Sequence, residues 1–64
     1  MREWFLQRQD KRVTIETLLP GEKGGSYTGV VAWVGADALI LQLANLTRLI
    51  PFHAIESVTD AQSF

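Results

Sequence analysis

The single histidine, His53, follows Pro51 and Phe52 in the stretch from Leu46 to Val58, LTRLIPFHAIESV. An imidazole both donates and accepts hydrogen bonds. Catalysis would also need a nucleophile and an orienting group beside it. Serine occurs only as Ser26, Ser57 and Ser63, cysteine is absent, and no closely spaced carboxylate pair is present. No catalytic set assembles from these, so the protein is not expected to be an enzyme. One histidine without cysteine gives no zinc ligand set either, and neither a metal nor an organic cofactor is expected. What remains for His53 is a hydrogen bond to a ligand or a cap on backbone carbonyls at a chain corner.

The second group with chemistry is basic. Arg2, Arg8, Lys11 and Arg12 place four of the six Lys and Arg residues in the first twelve positions, while five of the seven acids come later, at Glu16, Glu22, Asp37, Glu56 and Asp60. The formal net charge is −1, so the sum gives no support to a basic nucleic-acid module, and only the distribution offers an electrostatic footprint. A solvated helix face is the other reading of the cluster, because Glu3 and Asp10 dilute it. The glycines after Lys23 lack P-loop spacing and precede a strand pattern, so they read as a turn rather than a phosphate cradle.

The elements that must position these residues follow from periodicity. Residues 2–12 contain no glycine or proline and are rich in helix formers, which predicts a short helix ending in Lys11 and Arg12. From Val13 the period changes to two, with Val13, Ile15, Thr17 and Leu19 on one face of a first strand. Pro20 and Gly21 end it, and Glu22 to Ser26 reads as a flexible turn. Tyr27 to Val34 is the second strand, with Tyr27, Val31 and Trp33 expected on one face and a bend or bulge at Gly29. Trp4 and Trp33 are expected to pack in the core or between subunits rather than to stack on a ligand. Gly35 to Asp37 turns the chain into a third strand, Leu39 to Leu43, and Ala44 and Asn45 turn it into a fourth, Thr47 to Pro51. The corner at His53 leads to a fifth strand, Ile55 to Thr59, and residues 60–64 read as a frayed tail. Residues 1–64 thus form a single domain of mostly β class: a short N-terminal helix, then a five-stranded, strongly bent antiparallel barrel of SH3-like or Sm-like type over residues 13–59.

A domain of 64 residues buries only about 60% of its unfolded surface. With no disulfide and 47% apolar content, it is expected to gain burial by self-association. The fourth and fifth strands would each leave an open edge, and pairing such edges between identical copies closes a ring. No window approaches the ~18 apolar residues of a membrane span and no signal-peptide core is seen, so no membrane role and a cytoplasmic location are expected.

Together these residues resemble the Sm/LSm superfamily, and most closely the bacterial Hfq family of RNA chaperones. Phe5 and Leu6 followed by Arg8, Lys11, Arg12 and Val13 are similar to that family's N-terminal helix. Gly29 to Leu43 is similar to its first Sm motif, with a glycine in the bent strand and Asp37 at the following turn. His53, Ala54 and Ile55 stand as the His-Ala-Ile of its second motif stands. The resemblance implies a homo-oligomeric ring of five to seven subunits, six favoured, that binds single-stranded RNA at its pore and rim. It places His53, Phe52 and Asp37 at the pore, and Arg8, Lys11, Arg12 and Arg48 on the rim and faces. Pro51 and Phe52 occupy the places of the family's Tyr-Lys pair, Asp37 to Leu39 those of its Gln-aromatic pair, and Glu16 that of a first-strand tyrosine. Phe52 is the replacement stacking face in this reading. The alternative is an Sm-like protein-interaction or structural module that has lost its RNA contacts.

Overall fold

The computed structural model describes residues 1–18 and 24–61. The end of the first strand at Leu19, the first two residues of the expected turn from Glu22 to Ser26, and residues 62–64 of the tail fall outside the described residues, while Gly25 and Ser26 of that turn belong to the second strand. Helix α1 is Arg2–Leu6, and five strands follow: β1 Arg12–Thr17, β2 Gly25–Val34, β3 Ala38–Gln42, β4 Thr47–Pro51 and β5 Ile55–Asp60. A single 3-10 turn, Phe52–Ala54, joins β4 to β5. The strands form one antiparallel sheet in the order β4-β3-β2-β1-β5. Among the described residues β4 and β5 are not paired with each other, so the ladder does not close into a barrel and both remain edges.

Helix α1 is half the expected length. A five-residue helix has little stability of its own, and it is held by Phe5, which is fully buried in the core. The chain beyond Leu6 finds better partners on β2. The Asp10 amide donates to the Val31 carbonyl at 2.8 Å, the Val31 amide donates to the Lys11 carbonyl at 3.0 Å, and Gln9 forms a parallel bridge with Val31. Asp10 enables this by taking a left-handed backbone (φ 65°), which aspartate tolerates better than most residues. Lys11 and Arg12 therefore do not lie in a last helical turn; Arg12 begins β1.

The core gathers on one face of the sheet: Val13 and Ile15 from β1, Val31 and Val34 from β2, Leu39 and Leu41 from β3, and Ile50 from β4, around Phe5. The cross-strand register explains the choice. Val31 pairs with Leu41, and Val34 pairs with Leu39, which pairs with Ile50. Two residues separate Val31 from Val34, and both face the core only because the register shifts between Val31 and Trp33. That bulge turns Trp33 to the opposite face, where it is 50% exposed, in contrast to its expected place beside Val31.

Gly29, where the bulge was expected, has a different task. A Cβ at this position would overlap the Gln42 carbonyl, so glycine is what lets β2 and β3 approach each other there. The strand order and the bounds of β4 agree with the pattern read from the sequence, whereas β5 extends to Asp60, which is therefore not part of a frayed tail.

Candidate nucleic-acid interface

Arg8, Lys11 and Arg12 are brought together. They line an open groove of about 490 Å³ with Gln7, Asp60 and Ala61, where the segment after α1 crosses the ends of β1 and β5. Backbone bonds set this arrangement: the Lys11 amide donates to the Arg8 carbonyl at 2.9 Å, and the Ala61 amide donates to the Arg12 carbonyl at 3.1 Å. Lys11 and Arg12 are exposed and form no ion pair among the described residues.

Arg8 is differently placed. Its Nε donates to Asp60 Oδ1 at 2.6 Å and its Nη2 to Oδ2 at 3.2 Å, while Nη1 donates to the Trp4 carbonyl at 3.0 Å. The guanidinium also lies 3.8 Å from the Trp4 ring centroid, a cation–π contact. A planar guanidinium can make all of these contacts at once, which an ammonium cannot. The groove is consequently basic at Lys11 and Arg12 and internally neutralised at Arg8.

Asp37 and Phe52 also meet, with His53 next in the chain. The Phe52 amide donates to the Asp37 carbonyl at 2.9 Å, tying the β2–β3 hairpin to the 3-10 turn, and Ala38 pairs with Pro51 beside it. Pro51 ends an edge strand, where its missing donor costs no ladder bond. His53 is exposed and so is Asp37. Phe52 does not offer a free ring: it stacks on Phe5 with centroids 5.8 Å apart and planes within 2°, so one face is covered by the core. Arg48 stands apart from both groups, over the Tyr27 ring at 4.7 Å and on the core side of the sheet opposite Leu41.

The sequence pattern did not single out the convergence of Arg2 and Trp33 on Gly35. Arg2 Nε donates to the Gly35 carbonyl at 3.0 Å, and the benzo atoms of Trp33 pack against the Gly35 backbone so closely that a Cβ there would overlap them. Trp33, Ile40 and Leu49 are successive cross-strand neighbours on the face away from the core, with Leu49 61% exposed. Periodicity alone could not find this face, because every position from Val30 to Val34 is apolar and only the register shift puts both Val31 and Val34 in the core.

The fold defines a small, mostly β domain in which a short N-terminal helix precedes a five-stranded antiparallel sheet, an arrangement compatible with the Sm-like topology. No protein-family model matches the chain, and neither a curated protein nor a solved structure matches it significantly.

Proposed function

We propose that this protein is an Sm-like, ring-forming protein that binds single-stranded RNA without catalysis. The observation that carries the reading is the strand order β4-β3-β2-β1-β5, with its two unpaired edges. The edges are unlike in charge: β4 carries Arg48 and no acid, whereas β5 carries Glu56 and no base, its Asp60 being held by Arg8. Pairing β4 with β4, or β5 with β5, would bring like charges together; pairing β4 with β5 brings opposite charges together. Such head-to-tail contacts close into rings when the rotation permits. Five to seven copies, six favoured, would repeat His53 and Asp37 around a centre and Lys11 and Arg12 around a rim. Repetition raises the effective affinity of a weakly charged site.

Size-exclusion chromatography with light scattering is expected to give an oligomer of five to seven subunits. A monomer at micromolar concentration overturns the ring. Fluorescence anisotropy with short U-rich and A-rich RNA is expected to show binding at ~50 mM salt that falls steeply as salt rises, since phosphate contacts release counterions. Replacing Arg8, Lys11 and Arg12 together is expected to weaken it.

The second reading, an Sm-like protein-interaction or structural module, is favoured by the neutralisation of Arg8 by Asp60. An assembled ring with no RNA binding at ~50 mM salt, where phosphate contacts are strong, would establish that reading instead.

A further inference from the structure

We infer that Arg2 and Trp33, gathered on Gly35, form a stacking site for one nucleobase of single-stranded RNA and its adjoining phosphate. This site rests on the RNA-binding reading above but uses none of the residues assigned to its pore or rim. Three observations meet at one backbone carbonyl and the glycine that bears it. The Trp33 ring lies on Gly35 and remains 50% exposed, on the face of the sheet that carries no core. Its cross-strand neighbour Ile40 and then Leu49 continue that face as an apolar surface. Arg2 reaches the Gly35 carbonyl through Nε alone, at 3.0 Å, and its two terminal nitrogens have no hydrogen-bond partner among the described residues.

An aromatic ring beside a cation with free donors is the minimal element for holding a single-stranded nucleotide: the ring takes the base and the cation the phosphate. Neither part is adventitious in the fold. Gly35 is buried, and its missing side chain is the space the indole occupies. The Gly35 amide donates to the Ala38 carbonyl at 2.8 Å, which fixes the hairpin that carries both contacts. Asp37 sits exposed in the same hairpin with no cation paired to it among the described residues, so the phosphate belongs on the Arg2 side of the ring. Because Asp37 also receives the Phe52 amide, the site adjoins the turn that presents His53.

The test uses the full chain with Trp4→Phe, so that Trp33 is the only indole, and short U-rich and A-rich RNA as probes. Emission from Trp33 is expected to be quenched with the same saturation midpoint as the anisotropy. Trp33→Ala is expected to weaken binding about 5- to 150-fold, the range of one stacked base, and Trp33→Phe to retain most of the affinity. Arg2→Ala is expected to reduce the slope of log affinity against log salt by about 0.7, the value for one phosphate on a single strand. Circular dichroism of each variant confirms folding, which the exposure of both side chains favours.

RNA binding by anisotropy with unchanged Trp33 emission and full affinity in Trp33→Ala overturns the stacking site and leaves the RNA reading intact. Absence of any RNA binding at ~50 mM salt overturns both. Conversion of the oligomer to monomer by Trp33→Ala, with no RNA effect, makes this face an interface between copies and overturns the inference.

Discussion

Arg8 and Asp60 form a two-point ion pair, Nε to Oδ1 at 2.6 Å and Nη2 to Oδ2 at 3.2 Å, that joins the segment after the N-terminal helix to the end of the last strand. The carboxylate occupies the fork that a phosphate would take, since both anions accept two parallel N–H bonds from a guanidinium. An RNA phosphate reaching Arg8 must therefore displace Asp60, whereas Lys11 and Arg12 in the same groove are open to it.

Asp60→Asn is expected to raise RNA affinity severalfold, and Arg8→Ala on that background to remove the gain. Stability should fall by no more than about 1 kcal/mol, because Asp60 is 59% exposed and exposed ion pairs contribute about that or less. Anisotropy and urea melts of the two single variants and the double variant measure both effects. Equal affinity in Asp60→Asn and the parent protein would mean that RNA does not use Arg8.

Phe52 is expected to act in folding rather than in stacking on RNA. Its ring lies parallel to that of Phe5, which in turn meets Trp4 edge-on with centroids 5.2 Å apart. Phe52→Leu should cost roughly 0.5–1.5 kcal/mol, the worth of an aromatic pair beyond its area, and leave RNA affinity unchanged. Phe5→Ala removes the centre of the cluster and should cost about 3–5 kcal/mol. For so small a domain that is most of its stability, and chemical denaturation should show a largely unfolded protein.

Gly29→Ala is expected to destabilise the sheet by about 1–3 kcal/mol, the usual range for overpacking. The new methyl group would run into the backbone carbonyl of Gln42 rather than into a side chain that can swing away. The measurement is the urea midpoint, with hydrogen exchange at the β2–β3 ladder as the local readout. Gly24→Ala, where a Cβ would lie 3.4 Å from its nearest neighbour, serves as the tolerated control.

The helix-then-five-strands order was legible because alternating valine, isoleucine and leucine leave few choices in a chain this short. The bounds of β4 were legible because Pro51 ends it. Two features of the fold were not, and each is decided by tertiary partners. Residues 7–11 have helical propensity, but hydrogen bonds to Val31 stop the helix at Leu6, a long-range pairing that local sequence does not encode. Trp33 was placed by strict alternation, and one bulged residue turned it outward. Of the candidate site, the clustering of Arg8, Lys11 and Arg12 was readable from spacing, whereas Asp37 was set beside Phe52 and His53 only by the family resemblance. That Asp60 would occupy Arg8 and Phe5 would cover Phe52 was not readable, because those partners lie 52 and 47 positions away in the chain (60 − 8 and 52 − 5).

The two open edges make folding and assembly inseparable if β4 of one copy pairs with β5 of the next. Each edge residue then gains ladder bonds only in the oligomer, and the unfolded chain competes with the assembled state rather than with a folded monomer. Mass action gives the signature: for a six-membered ring, apparent stability should rise by about 1 kcal/mol per protomer for each tenfold increase in protein concentration. Thermal melts at three concentrations spanning two decades measure it. A midpoint that does not move with concentration would mean that the 64-residue domain holds its fold without neighbours, and would remove the edges as the basis of a ring.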